Sequence, residues 1–251
     1  MQEVQITETY QNNDKYDDCL KQLFTHDISN VFNVISNSFE LCGIILEQGV
    51  NKEELIEFFQ LITEQISRGK KLVKNLKNLS IIDDFPIFIE PTDLLETLRE
   101  AIRFIKISFP AKSVNITLNS ENSDYSILAN NLLVEVFENL FMNSILYNKH
   151  KTIKVEICIS EISIEERKLV KIECKDNGIG IEDSRKFKIL QANQNKNTNS
   201  QGMGIGLSLV AKLIELWGGK IWIEDSIKGD SSKGSNFILV IPQTNRIEIN
   251  I

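Results

Sequence analysis

The amino-acid sequence predicts an α+β protein: an N-terminal antiparallel helical hairpin that pairs into a dimeric four-helix bundle, followed by an α/β sandwich on a mixed sheet. The first 80 residues contain no proline, and their apolar residues recur at steps of three and four, the period of an amphipathic helix. Beyond Pro86 and Pro91, helical and strand-like stretches alternate. A chain of 251 residues, 42% of them hydrophobic, suffices for two cores.

In the hairpin the first apolar series runs Phe24, Ile28, Val31, Ile35, Phe39, Cys42 and Leu46. After the break "QGVN" a second follows at Leu55, Phe59, Ile62, Ile66, Val73 and Leu76, with Gly69 in register. Each helix should have about 30 residues and extend about 45 Å. Two helices alone cannot cover two apolar stripes, so a homodimer through the hairpin is expected. The organisation expected is an N-terminal extension over 1–16, the hairpin over 17–84 and a second domain over 85–251.

That second domain opens on "TDLLETLREAIRFI", a helix capped by Thr92 or Asp93, followed by the strands "VNITLNS" and "YSILAN". The helix "LLVEVFENLFMNSILY" comes next, then the strands "TIKVEICISE" and "KLVKIECKD". A glycine-punctuated helix, "GIGLSLVAKLIELWG", precedes the closing strands "KIWIEDS" and "NFILVIP". The segment "QANQNKNTNSQG" offers little to bury and reads as a loop.

A net charge of −7 disfavours nucleic acid and anionic membranes as partners. Cys19, Cys42, Cys158 and Cys174 are widely spaced, which fits reduced thiols rather than a disulfide framework or zinc site. No apolar run approaches the roughly 18 residues of a membrane span, and the N-terminus lacks a signal-peptide pattern, so a cytoplasmic protein without membrane insertion is expected.

Chemistry begins at His26 in "LFTHDISNVF". With Phe24 at zero and about 100° per residue, the apolar positions cluster within about 60°, whereas His26 falls near 200° and Asn30 near 240°. Both therefore point outward, and Asp27 stands beside them. A lone exposed histidine is more often plain surface. An imidazole nitrogen is nucleophilic when neutral, however, and an adjacent carboxylate can hold the other nitrogen's proton. The stretch "HDISN", with Ile35 and "EL" following, resembles the phosphoacceptor box of histidine kinases of the His-Asp-x-x-Asn variety. The resemblance implies that His26 accepts the γ-phosphoryl of ATP, that Asp27 orients or deprotonates it, and that Asn30 serves dephosphorylation of a response regulator. Asn30 and Val31 stand where the commoner box ends in proline, so no kink is expected.

Further along, Asn139 and Asn143 lie four apart on one helix face, where amide oxygens suit magnesium. Asp176 precedes Gly178 and Gly180 at a strand end, where a carboxylate can accept the adenine amino group and glycines let backbone approach the base. Gly202, Gly204 and Gly206 open a helix whose N–H groups suit phosphates. In this order the elements resemble the asparagine and glycine boxes of the GHKL-type ATP-binding domain of histidine kinases, gyrase, Hsp90 and MutL. By that resemblance Asn143 binds Mg2+, Asp176 reads adenine, Tyr147 lines the nucleotide site and "QANQNKNTNSQ" is the lid. The chain departs from the pattern at Leu146, where many members carry a phosphate-contacting lysine that Lys149 or Lys196 would replace. Around Phe187, Ile189 and Leu190 replace the usual proline and second phenylalanine. The superfamily's ATPases place a glutamate where this chain has Asn139, so water lacks a base and His26 is the acceptor expected.

The expected function is an ATP- and Mg2+-dependent histidine kinase that passes phosphate from His26 to the receiver domain of a response regulator. The alternative is an ATP-independent phosphotransferase or scaffold of the same architecture. About 16 residues before the hairpin are too few for a sensor domain, so either a sensor acts in trans or the chain is a piece of something larger.

Overall fold

A computed structural model describes residues 2–48, 52–84, 86–190 and 205–244, with side chains from residue 24 onward except at 48, 83 and 84. These residues form two compact units that divide at Asp83 and Asp84, apart from Ile205 and Gly206, which group with the first.

The first unit is a pair of helices, α1 (Gln2–Gln48) and α2 (Lys52–Asp84). α1 is one helix of 47 residues, longer than its apolar series implied, and passes the boundary expected at residue 17 without a break. Val31, Ser38 and Cys42 of α1 are buried, as are Ile62, Leu72, Leu79 and Ile82 of α2. A Cβ at Gly69 would sit 3.4 Å from Val31 Cγ1 and 3.7 Å from Ile28 Cδ1, ordinary contact distances, so Gly69 of α2 faces Val31 and Ile28 of α1. The apolar stripes are wider than this seam. Phe39, Leu46, Phe59, Ile66 and Val73, which periodicity assigned to the core, stay exposed. One helix covers only a strip of its neighbour, and periodicity marks every apolar position whatever covers it. The exposed residues make their own series seven apart, Phe32, Phe39 and Leu46 on α1 and Phe59, Ile66 and Val73 on α2. Seven is the repeat of a helix-bundle seam.

The second unit runs β1 (Glu90–Asp93), α3 (Leu94–Ser108), β2 (Ser113–Ser120), β3 (Ser126–Ala129), α4 (Leu133–Leu146), β4 (Thr152–Ile164), β5 (Arg167–Asp176), α5 (Asp183–Leu190), α6 (Ile205–Leu216), β6 (Lys220–Ile227) and β7 (Asp230–Pro242). The main sheet has the order β2-β4-β5-β7-β6, with β2 and β4 parallel and the other pairs antiparallel, the mixed sheet that the sequence predicts. Sequence analysis missed β1, which pairs antiparallel with β3 in a separate small sheet, because "EPTD" has no strand patterning. It also missed α5, whose eight residues are too few to establish a period. α3 begins as expected, with the Asp93 carboxylate accepting from the Glu96 amide at 3.0 Å.

Alternation positions the site. Ile153, Val155, Ile157 and Ile159 of β4 face the core, as do Val170, Ile172 and Cys174 of β5. Burial pushes the Cys174 thiol up to about 12, helped by nearby Cys158, Asp176 and Glu173. Asp176 continues the same phase and is 7% exposed, so β5 delivers a carboxylate to the core face at its last residue. α4 is buried almost all round, Glu135, Glu138 and Asn139 included.

Candidate functional site

On the first unit, α1 holds His26, Asp27 and Asn30 together. Residues one turn apart share a helix face, which brings Asn30 beside His26, and the neighbouring Asp27 also reaches the ring, its Oδ1 3.1 Å from His26 Nδ1. The imidazole is 60% exposed and the carboxylate 14%. A carboxylate can only accept, so in the neutral tautomer that makes this bond Nδ1 carries the proton and leaves the lone pair on Nε2. Asn30 Nδ2 stands 3.4 Å from both ring nitrogens, too long for a strong bond but near enough to cover that face of the ring.

On the second unit the centre is Asp176. Its Oδ1 accepts from the Gly178 amide at 2.8 Å and the Ser235 amide at 3.2 Å, and its Oδ2 accepts from Ser235 Oγ at 2.6 Å. Sequence analysis missed Ser235, which stands just before the closing strand "NFILVIP"; the residue meets Asp176 across 59 positions of chain. Gly178 and Gly180 do more than open space for a base. A Cβ at Gly178 would lie 2.7 Å from the Tyr147 carbonyl, and one at Gly180, where φ is +71°, would lie 2.0 Å from the Ser231 carbonyl. Backbone fills both places. Tyr147 closes α4, is 50% exposed, and accepts from the Ile179 amide at 3.0 Å through its carbonyl.

Asn139 donates its side-chain amide to the Glu135 carbonyl at 2.8 Å. Asn143, one turn on, has a buried Nδ2 without a hydrogen-bond partner among the described residues. Gly206 lies in the first turn of α6, whereas Gly202, Gly204, Lys196 and the segment expected as a lid lie outside the described residues. Leu146 is half-buried, Lys149 and His150 are exposed, and Phe187 projects from α5 at 68% exposure, while Ile189 is buried. α5 is tied to β6 by Lys186, which bonds Asp183 at 2.5 Å and also Asp225. Desolvation pulls the Lys186 pKa down, but the hydrogen bonds and charges of Asp183 and Asp225 outweigh it and hold the ammonium above its usual value.

Residues 129–245 match the family described as "Histidine kinase-, DNA gyrase B-, and HSP90-like ATPase". The match lies within the C-terminal unit, and the chain is similar to sensor histidine kinases. Among curated relatives, an uncharacterized sensor-like histidine kinase, ycf26 of Porphyra purpurea, is 25% identical over 72% of this chain and 30% of its own. Among solved structures, the catalytic domain of histidine kinase ThkA is 26% identical with a TM-score of 0.51, covering 63% of this chain and 97% of that one. Histidine kinase ThkA in complex with response regulator protein TrrA has a TM-score of 0.57 at 21% identity, covering 94% of this chain and 66% of that one, a likeness of fold. The chain spans 28–30% of the length of the first curated relatives. Among the described residues no helix is long and apolar enough to cross a membrane.

Proposed function

We propose that this chain is an ATP-dependent protein histidine kinase with three segments: an extension over 1–16, a dimerising phosphotransfer hairpin over 17–84 and a catalytic domain over 85–251. The observation that carries the reading is the exposed His26 imidazole with Nδ1 held at Asp27, in a chain whose other unit matches an ATPase family. Asp176 accepts the adenine amino group, its orientation kept by Ser235 and Gly178, with Tyr147 at the rim. Gly202, Gly204 and Gly206 would serve the phosphates.

The amide of Asn143 suits magnesium. Its oxygen and nitrogen are interchangeable by rotation about the amide, so the orphaned buried position can present an oxygen to a hard cation. Among the described residues no group of three or more acidic, His or Cys side chains could hold a metal, so phosphate oxygens would complete the coordination. When bound, magnesium would neutralise charge on the phosphates.

His26 Nε2 attacks Pγ, an N–P bond forms, and the bond from Pγ to the bridging oxygen breaks, ADP taking the electron pair. Asp27 steadies the cationic ring through the Nδ1 proton. The phosphoryl group then passes to an aspartate of a response regulator, a partner type seen with the structurally similar ThkA. Homodimerisation is supported by the seven-spaced apolar series on α1 and α2, which a second copy would cover. Leu146 in place of a lysine favours one second reading, a phosphotransferase or scaffold that does not use ATP.

Incubation with γ-labelled ATP and Mg2+ tests the proposal. Acid-labile, base-stable label is expected on the wild type and none on His26→Ala, with ATP affinity kept. Label persisting on His26→Ala removes the acceptor assignment, unlabelled wild type favours the scaffold, and free phosphate release without label makes it an ATPase.

A further inference from the structure

Asn177 laces the strand end that carries Asp176 to the chain leaving α4. Its Oδ1 accepts from the Lys154 amide at 2.8 Å and from Asn148 Nδ2 at 2.8 Å, and its Nδ2 donates to the Thr152 carbonyl at 3.1 Å. The Asn177 amide donates to the Lys154 carbonyl at 3.3 Å. Both lone pairs of Oδ1 are thereby used, and the partners are Asn148, just past α4, and Thr152 and Lys154 in the first residues of β4. Asn148 is itself turned by accepting from the His150 amide at 3.0 Å.

The position of this network gives it consequence. The β4–β5 ladder ends at the pair Val155 and Asp176, and a ladder frays at its last rung unless something holds it. Asn177 supplies those missing bonds from its side chain. Asp176 is then fixed twice, through its backbone by Asn177 and through its carboxylate by Ser235 and Gly178. An acceptor held in place before the ligand arrives costs less to order on binding. Among the described residues the bonds of the Asn177 side chain all run to the protein, so it acts on a ligand through Asp176.

We infer that Asn177, braced by Asn148, is the positioning residue of the base-reading carboxylate and sets the preference of the site for adenine nucleotides. The inference rests on the reading of Asp176 as adenine acceptor. An adenine amino group donates to a fixed carboxylate, whereas the carbonyl oxygen at the same edge of guanine meets it acceptor to acceptor. Freeing Asp176 therefore weakens adenine binding and leaves guanine binding as poor as before.

Calorimetric titration of the full chain with ATP, ADP and GTP in Mg2+, alongside labelling kinetics, tests this. Asn177→Ala is expected to weaken ATP and ADP about tenfold each, the scale of one lost hydrogen bond, and to leave GTP unchanged. KM for ATP should rise by the same factor while kcat stays within twofold. Asn148→Ala should have a smaller effect in the same direction, and Asn148→Ala adds little to Asn177→Ala, since it acts through that residue. Equal losses for ATP and GTP, or a fall in kcat alone, would indicate general loosening and overturn the inference. Should Asn177→Ala fail to fold, Asn148→Ala decides by the same ATP-to-GTP ratio. Wild type that binds ATP beside a folded Asn177→Ala that binds equally well overturns this inference alone; wild type that binds no ATP overturns the nucleotide reading as well.

Discussion

Asp176→Asn removes a charge while keeping the shape of the side chain. In the native site Oδ1 accepts the Gly178 and Ser235 amides at 2.8 and 3.2 Å, and Oδ2 accepts Ser235 Oγ at 2.6 Å. An asparagine oxygen at the Oδ1 position keeps both backbone bonds. Its NH2, at the Oδ2 position, can donate to Ser235 Oγ once that hydroxyl turns its proton elsewhere. The fold should therefore survive. The adenine amino group instead meets an NH2 where it had a carboxylate, and donor faces donor. Losing a hydrogen bond to a charged group costs about 1–3 kcal/mol, so ATP should bind about 5–150-fold more weakly. Calorimetric titration of both proteins with ATP and Mg2+ reads this directly, with a thermal melt to establish that the variant is folded. A folded Asp176→Asn that binds ATP with wild-type affinity removes Asp176 from the adenine site.

Asn30→Ala should keep autophosphorylation of His26 within a few-fold but slow loss of phosphate from a pre-phosphorylated regulator by about 10–100-fold, the scale of a group that positions water. Unchanged decay with Asn30→Ala, or no acceleration by the wild type, would make the chain a one-way kinase. Away from the site, partial burial of Glu173 opposes its ionisation, but the Asn236 amide at 3.0 Å and the Lys171 ammonium at 3.1 Å, with Lys175 beyond, outweigh it and hold the carboxyl below its usual 4.5. A depressed pKa gives stability that is present above 4.5 and disappears as pH falls through the folded value. The melting-temperature gap between wild type and Glu173→Gln should accordingly close below pH 4.5, and a gap constant from pH 7 to 3 would contradict the assignment.

Much of the second unit was legible because its strands alternate. Ile153 to Ile159 and Val170 to Cys174 place every second residue on the core face, a pattern that needs no knowledge of partners. The same phase carries Asp176 inward, and a charged residue in an apolar register is a signal visible in one dimension. Ser235, Asn148 and Asn177 had no such mark. Each is an ordinary polar residue, Asn148 and Asn177 beside element ends and Ser235 within β7, and its role exists only through a partner brought near by the fold.

The sequence by itself determined what depends on local periodicity and residue chemistry: two long helices, a mixed sheet, an outward-facing His26 beside Asp27, and a carboxylate at the end of a core strand. Only the tertiary structure decided which apolar positions the hairpin covers. Phe39 and Val31 share one helical period, yet Val31 meets Gly69 on α2 while Phe39 stays exposed. It also decided that Gly178 and Gly180 are filled against by the Tyr147 and Ser231 carbonyls, and that Ser235 holds Asp176 across 59 residues. Periodicity records that a side chain avoids water. Which atom takes the place of that water is set by the distance between segments remote in the chain, and only packing fixes those distances.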